Sequence, residues 1–140
     1  AFGMPRRMAA GVDYNRMSLL LAVLEKKVGI QLNNQDVYVS VAGGIRIDEP
    51  AADLALALAV ASAYRGEPVD SFIACGEISL TGEVRSIGQI NSRIKECAKM
   101  GFNKMIIPKR CMKDAMTPDG VQLFGVSNVY EALRASGLVK

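Results

Sequence analysis

The feature that most constrains the fold is an apolar segment, residues 51–64, in which Asp53 is the only charged side chain. Pro50 precedes the segment and Gly66 follows it, as is typical of the first turn and the end of a helix. A helix that is apolar on every side is usually packed against other elements over most of its surface. We therefore predict a central helix that is buried on most sides. Asp53 lies in its first turn, where the helix dipole favours a negative charge, so we expect it to have a structural role.

Helix and strand patterns alternate along the rest of the chain. Apolar residues spaced three and four apart follow Asp13, a good N-cap, and continue to Val28. Two more helices are expected, one starting near Ile87 and one running from a cap at Ser127 to about Ala135. Strands are predicted over residues 36–42, 71–75, 105–107 and 121–124, with a hairpin over 78–84. This order predicts an α/β (α+β) domain in which helices pack on a mixed sheet.

The domain boundaries follow from length and local composition. A chain of 140 residues forms one core, and we assign residues 12–140 to a single domain. Residues 1–11 contain two glycines, a proline and the pair Arg6-Arg7, and we predict that they form an N-terminal arm. The chain starts abruptly with Ala1, so we interpret it as a piece of a longer protein.

Several classes of function are excluded by composition. The chain has no histidine, which removes His-dependent catalysis and histidine metal sites. Its three cysteines, Cys75, Cys97 and Cys111, lie far apart, so neither a zinc site nor a disulfide framework fits and a reducing cytoplasm is expected. No apolar run reaches the ~18 residues that a membrane span needs. Glycine-rich phosphate-binding motifs are absent, and we expect no cofactor or metal within these residues.

Three stretches together carry a family resemblance, namely residues 42–53, 75–88 and 101–108. In this order and spacing they resemble the proteolytic domain of Lon-type proteases. That family has D-G-P-S-A-G before a buried helix, then T-G-E-I-x-L-x-G-x-V-x-P-I-G-G-L-K, and later G-x-x-x-x-I-I-P. The resemblance covers roughly residues 36–135. It implies a Lon proteolytic-domain-like fold of the kind also described as ribosomal protein S5 domain 2-like.

A more specific resemblance spans nearly the whole chain. Residues 3–16, 41–44 and 48–53 are similar to the C-terminal Lon-like domain of the RadA (Sms) family of bacterial DNA repair and recombination proteins. This resemblance implies a homo-oligomer, a hexameric ring, that acts on branched or single-stranded DNA. It also implies a DNA-dependent ATPase region on the N-terminal side, where ATP, Mg and Zn would bind. The domain itself is then expected to support the ring and to guide DNA.

The two positions that carry protease chemistry in the Lon family are altered here. The serine of D-G-P-S corresponds to Ala51 and the lysine of P-I-G-G-L-K corresponds to Asn91. A methyl group is no nucleophile, and an amide is no general base near neutral pH. Ser92 and Lys95 are three residues apart on the expected helix and are the nearest alternative pair. We interpret them as an exposed polar face and predict no catalytic residues.

Six basic residues are candidates for contact with DNA phosphates: Arg6, Arg7, Lys104, Lys109, Arg110 and Lys113. A net charge of +3 permits an anionic partner without requiring one. The arm that carries Arg6 and Arg7 is equally consistent with a solvated segment or a subunit contact. Lys26 and Lys27 are explained by the C-terminal end of their helix. Cys111 lies between basic residues that would favour a reactive thiolate, whereas Cys75 and Cys97 are expected to be buried and inert.

Three functional hypotheses remain open from the sequence. The first is a catalytically inactive Lon-like scaffold domain of an ATP-dependent repair and recombination protein that drives branch migration. The second is an active peptidase with a nonstandard dyad. The third is an unrelated α/β binding or metabolic module that shares the fold, since a fold alone does not fix a function.

Overall fold

The computed structural model describes residues 4–44, 46–68 and 71–139. Its helices are α1 (Tyr14–Val28), α2 (Asp53–Arg65), α3 (Ile90–Lys99) and α4 (Val129–Ser136). Its strands are β1 (Arg7–Ala10), β2 (Val37–Ser40), β3 (Ile73–Ala74), β4 (Glu77–Ile78), β5 (Val84–Arg85), β6 (Lys104–Pro108) and β7 (Gln122–Val126). No helix in these ranges is long and apolar enough to cross a membrane.

The strands form three small sheets. β1 pairs with β2 in parallel, β3, β6 and β7 form a parallel sheet in that order, and β4 and β5 form an antiparallel hairpin. The predicted α+β class is confirmed. Parallel and antiparallel strand pairs occur in separate sheets, however, and not in the single mixed sheet that the sequence predicts. The sheets are separate because the chain leaves the sheet at Gly76, between β3 and β4. Its N–H donates to Ala51 O (2.9 Å) and its C=O accepts from Leu54 N (3.0 Å), so its backbone pairs with the start of α2.

Two apolar clusters fill the interior. The larger lies between α1, α2 and α4, and the smaller lies under α3 and contains all three cysteines. Strand β6 separates them, because Ile106 belongs to the larger cluster while Met105 and Ile107 belong to the smaller one. Successive side chains of a strand point to opposite faces, so β6 is buried on both sides. The interior is aliphatic, as the low aromatic content predicts.

Most predicted helix boundaries are confirmed. Asp13 caps α1 by accepting a hydrogen bond from Arg16 N (2.9 Å), and Gly29 and Gly66 end α1 and α2 in left-handed conformations. The prediction of Ser127 as the last cap is wrong. Asn128 caps α4 through Glu131 N (2.9 Å), while Ser127 N donates to the Glu131 carboxylate. A single-residue shift of this kind is common because neighbouring polar residues compete for the same amides.

One expectation about exposure is not met. The central helix α2 buries one face only, and Ala55, Ala59 and Ala63 are exposed on the other. The described part of the predicted arm contains β1, which pairs with β2 from Arg7↔Val37 to Ala10↔Ser40. Residues 1–3 of that segment lie outside the described residues.

A buried ion pair joins three elements at the start of α2. Asp53 is 3% exposed and accepts two hydrogen bonds from Arg16 of α1, of which the Nε–Oδ1 contact is 2.8 Å. Asp53 Oδ2 also accepts from Ile78 N of β4 (3.0 Å), and Arg16 Nη2 donates to Ile78 O (3.1 Å). The structural role predicted for Asp53 is therefore to connect α1, α2 and the hairpin.

We expect Asp53→Asn to lower the free energy of unfolding by about 3 kcal/mol, because it leaves the Arg16 guanidinium without its counter-ion. This is the lower end of the range for a buried pair, since the Arg16 side chain is 34% exposed. Urea denaturation measures the change. The control is Asp48→Asn, which breaks the exposed Arg46–Asp48 pair and should cost less than about 1 kcal/mol. Equal losses in the two variants would contradict the role assigned to Asp53.

Candidate functional site

Ala51 lies in a single 3₁₀ turn, Pro50–Ala52, that leads directly into α2. Pro50 suits this turn because it has no N–H to leave unpaired. Ala51 is 5% exposed, and its carbonyl accepts the bond from Gly76 N. Its methyl group faces a cavity of about 330 Å³ whose other lining residues include Cys75, Arg93 and Cys97. The cavity thus offers no hydroxyl nucleophile at the position where the Lon family has serine.

An ion pair joins two residues that line this cavity. Arg93 of α3 pairs with Glu49, two residues before Ala51, and its Nε also donates to Gly88 O (2.9 Å). Arg93 itself lies two residues after Asn91. The ion pair therefore links the segment that contains Ala51 to the helix that contains Asn91.

Cys75 lines the same cavity as Ala51 and carries a thiol. Burial raises the pKa of this thiol to about 11, although the positive charge of Arg93 acts in the opposite direction. A protonated thiol is a poor nucleophile, so we expect the Cys75 thiol to react slowly at neutral pH. Cys97 lines the same cavity, and burial raises the pKa of its thiol as well.

The Asn91 side chain is bonded at both ends to the polypeptide backbone. Its Nδ2 donates to Asp114 O (2.9 Å), and its Oδ1 accepts from Met116 N (2.8 Å). The side chain thereby attaches residues 114–116 to the first turn of α3. Ser92 and Lys95 are both exposed, and within the described ranges no hydrogen bond joins them. This is the exposed polar face that the sequence predicts.

Two of the six basic candidates are used by the fold itself. The Arg7 guanidinium donates to the carbonyls of Gln35, Leu32 (2.6 Å) and Arg6 (3.2 Å), which fixes the turn before β2. The Lys104 ammonium donates to Ala135 O (2.6 Å) and lies 5.4 Å and 5.1 Å from the ring centres of Phe72 and Phe124. Both cations already have partners that compete with a phosphate.

The other four candidates are exposed, and the structure brings three of them together. Lys109, Arg110 and Lys113 line an open cleft of about 530 Å³, with Ser86 and Gln89 among the opposite lining residues. We call this the basic cleft. Arg6 directly precedes β1, and its carbonyl accepts from Val37 N (2.9 Å), apart from the strand that precedes Lys109. Of the basic cluster predicted after the third helix, Lys109, Arg110 and Lys113 lie together in the structure, whereas Lys104 lies elsewhere.

Cys111 does not have the setting predicted for a reactive thiol. It is buried next to the basic cleft, and its Sγ donates to Ile87 O (3.8 Å). Arg110 and Lys113 flank it in sequence but point their charges to the surface. Exposure is one requirement for a reactive cysteine, and Cys111 lacks it.

Comparison with known proteins identifies the family of this domain. Residues 9–131 match the Lon protease (S16) C-terminal proteolytic domain. The chain belongs to this family. The Lon-type domain is also 54% identical over 139 residues to the DNA repair protein RadA of Bacillus subtilis (strain 168), covering 97% of this chain and 30% of that protein.

Further RadA proteins show the same relation. The Lon-type domain is 50% identical to DNA repair protein RadA of Listeria monocytogenes over 136 residues, with 95% of this chain and 29% of that protein covered. For Streptococcus pyogenes serotype M6 the identity is 47% over 137 residues, with 96% and 30% covered. The chain spans less than a third of the length of these relatives. The resemblance inferred from the motifs is confirmed.

Sequence analysis missed the contacts that make this site what it is. The Glu49–Arg93 pair joins residues 44 positions apart, and the bonds of Asn91 to residues 114 and 116 span more than 20. Local sequence patterns do not predict contacts between residues this far apart in the chain. One signal was available at Asn91, because an amide in place of a lysine offers both a donor and an acceptor.

We expect all three thiols to resist alkylation by iodoacetamide at pH 8.5 in the native protein and to react fully in denaturant.

Since the raised pKa of Cys75 keeps its proton bound in the folded state, this group stabilises the fold fully below about pH 9. That contribution is lost as the pH rises through about 11, because the unfolded chain releases the proton first. Unfolding free energies between pH 8 and 11 test this, and the Cys75→Ala variant should show the shallower decline. A rapid native reaction at Cys75 would contradict the assignment.

Lys104 and Lys113 form a matched pair for separating structural from surface lysines. We expect Lys104→Met to lower the free energy of unfolding by about 1–3 kcal/mol, because it removes a charged hydrogen bond and a cation–π contact. Lys113→Met should stay within about 0.5 kcal/mol, as is usual for exposed positions. Thermal or urea unfolding of the two variants measures both values. Similar losses in the two variants would contradict this distinction.

Proposed function

We propose that this Lon-type domain has lost protease chemistry and serves as a scaffold domain in a RadA-type DNA repair and recombination protein. One observation carries the proposal. Neither dyad position holds its catalytic group, since Ala51 is a buried methyl group and the Asn91 amide is committed to two backbone bonds. The surrounding turn, the α2 helix and the hairpin are nevertheless kept in place by specific hydrogen bonds. In this proposal the turn, α2 and the hairpin serve to present surfaces for contact with other subunits and with DNA.

The basic cleft supports a role in guiding DNA. Its three cations, on Lys109, Arg110 and Lys113, form no ion pair or side-chain hydrogen bond within the described part of the chain. Contacts of this type bind the phosphate backbone, so they supply affinity and salt dependence without reading sequence. Arg6, which directly precedes β1, is a further exposed candidate. The RadA proteins to which the chain is similar are named for DNA repair.

Two exposed surfaces support assembly into a ring. Parallel sheets are usually covered on both faces, yet the outer face of the β1–β2 sheet presents Met8 and Tyr38 as direct neighbours, 58% and 57% exposed. The alanine face of α2 is also open. Ring contacts join different patches on adjacent subunits, and two distinct apolar patches suit that arrangement. In this proposal the ring is a hexamer in the cytoplasm.

The ATPase activity belongs, in this proposal, to the part of the longer protein that the chain does not include. ATP, Mg²⁺ and Zn²⁺ would bind there and drive branch migration on branched or single-stranded DNA. In the described ranges of this chain no group of three or more acidic, cysteine or histidine side chains is placed to hold a metal ion. The domain would contribute subunit contacts and a path for the nucleic acid.

We expect the chain to bind single-stranded DNA weakly, with a Kd of about 10⁻⁴–10⁻⁶ M at physiological salt. Three phosphate contacts predict a slope of about −2 in a plot of log affinity against log salt concentration. Fluorescence anisotropy with single-stranded and branched oligonucleotides across a salt series measures both quantities. The mass in solution is determined in the same buffer. We also expect no cleavage of unfolded casein.

Each outcome of this experiment separates the hypotheses. Steep salt dependence from a ring-sized species supports a scaffold that guides DNA. A ring that binds no DNA reduces the domain to an assembly platform. Cleavage of casein that a serine-directed covalent inhibitor blocks would overturn the scaffold proposal in favour of a peptidase with a nonstandard dyad. A monomer that binds nothing would favour an unrelated role for the fold.

A further inference from the structure

The edge of β2 that faces away from β1 is open. Val37 N and Val41 N donate to carbonyls of the β1 segment (2.9 Å each), which shows which residues of β2 direct their backbone groups to β1. Alternate residues of a strand bond to opposite edges, so the N–H and C=O groups of Tyr38 and Ser40 lie on the other edge. Within the described part of the chain no strand pairs with that edge. An open edge of this kind can bond another extended segment.

A groove of about 490 Å³ separates this edge from the outer face of α2. Ala59 and Ala63 are exposed on that face, while Leu56 and Val60 are partly buried against the larger apolar cluster. Because alanine side chains are short, the helix leaves room for the side chains of another segment. We call this space the β2–α2 groove. It combines unpaired backbone groups on one wall with an apolar surface on the other.

A third strand bonded to β2 would direct every second side chain toward α2. Neighbouring strands of a sheet place the side chains of paired residues on the same face. The Val37 and Val39 side chains pack against the larger apolar cluster, so they identify the inner face of the sheet. Inner side chains of the added strand would contact Leu56 and Val60. In recognition of this type, backbone bonds supply affinity and the alternate side chains supply specificity.

The charges around the β2–α2 groove indicate which segment it fits. Asp36 is exposed and is the one charged side chain among the described residues that line the groove. Ser40 also lines a neighbouring cavity of about 440 Å³, to which Asp13 contributes. Neither aspartate has an ion-pair partner in the described ranges, whereas the other charged residues of that cavity are paired with each other or with nearby arginines. Two carboxylates without counter-ions favour a cationic partner and disfavour nucleic acid.

We propose that the β2–α2 groove binds an extended segment of a partner protein in which lysine or arginine alternates with small apolar residues. The segment would form a third strand on β2 through the backbone groups of Tyr38 and Ser40. Its apolar side chains would cover the alanine face of α2. Its cations would lie near Asp36 and Asp13, at the two ends of the groove.

A second copy of the chain is the competing occupant, because the alanine face of α2 also supports ring assembly in the proposed function. None of the described strands alternates cationic and small apolar residues, and the Arg7 guanidinium of β1 is already bonded to three carbonyls. A segment of another protein therefore suits the groove better. Ala51 and Asn91 are not among the residues that line the groove, so binding there is independent of the altered dyad positions.

The probe is a synthetic peptide of alternating lysine and valine, titrated into the whole chain and followed by amide chemical shifts. We expect shifts along residues 37–40 and hydrogen exchange slowed by at least about tenfold at Tyr38 and Ser40. A peptide of alternating glutamate and valine should bind at least about tenfold more weakly. A lysine–valine peptide with methylated backbone nitrogens keeps its charge but has no backbone donors, and it should also lose at least about tenfold in affinity.

Variants of the chain test the two walls of the groove. Ala59→Arg places a long cationic side chain on the alanine face, and we expect it to weaken peptide binding by at least about tenfold. Ser92→Arg adds the same side chain at an exposed position of α3 and should leave binding unchanged. Asp36→Asn removes the charge but keeps the acceptor for Arg6 N (2.8 Å), and it should weaken binding about twofold to fivefold. Thermal unfolding of each variant confirms that it is folded.

The outcomes separate a partner segment from the proposed function. Equal binding of the lysine and glutamate peptides, or binding that Ala59→Arg leaves unchanged, would overturn the assignment while the scaffold role stands. If no peptide binds and Ala59→Arg lowers the mass in solution, the face joins copies of the chain. That result would reject the partner segment and support the ring. Absence of peptide binding with an unchanged mass would reject the partner segment as well.

Discussion

The rest of the structure depends on the ion pair between Asp53 and Arg16. It sits at the N-terminus of α2, buried under the hairpin, and both partners also bond the backbone of Ile78. A carboxylate in such a place is stable only when every lone pair facing the protein has a donor, and here the donors come from α1 and β4. Three elements are thereby fixed at one point. The turn that carries Ala51 begins at Pro50, three residues before Asp53, so its position follows from this ion pair and from the bonds of Gly76 to Ala51 and Leu54.

This arrangement explains how a Lon-type domain keeps its architecture without the serine and lysine of the family. Nothing that holds Ala51 in place involves a catalytic group, because the contacts are backbone hydrogen bonds and a neighbouring ion pair. Replacing a serine hydroxyl by a methyl group at a buried position therefore costs the fold little. The Glu49–Arg93 pair lines the same cavity and joins the segment before Ala51 to α3.

Sequence patterns predict the parts of the fold that local rules determine. Asp13, Gly29, Pro50 and Gly66 mark helix ends through their own backbone preferences, and the two dyad positions are located by flanking motifs. Local patterns do not predict which basic residues are bonded within the fold and which are exposed. Lys104 and Lys113 look alike in sequence, yet the Lys104 ammonium is held by Ala135 and two aromatic rings, whereas Lys113 is exposed and has no partner among the described residues. The difference arises from β7, α4 and the segment before β3, which meet only in the folded chain. Exposure of the alanine face of α2 has the same origin, because periodicity shows that a face is apolar but not whether another element covers it.

The identity of residue 91 follows from the hydrogen bonds that the segment after it requires. Asp114 offers a carbonyl and Met116 offers an N–H, so a side chain that serves both must donate and accept within one group, as an amide does. A lysine donates only, and it would leave the Met116 N–H without this acceptor. Holding the 114–116 segment and acting as a catalytic base are therefore competing uses of one position. In this chain the position serves the segment, and the surface that the segment presents is basic.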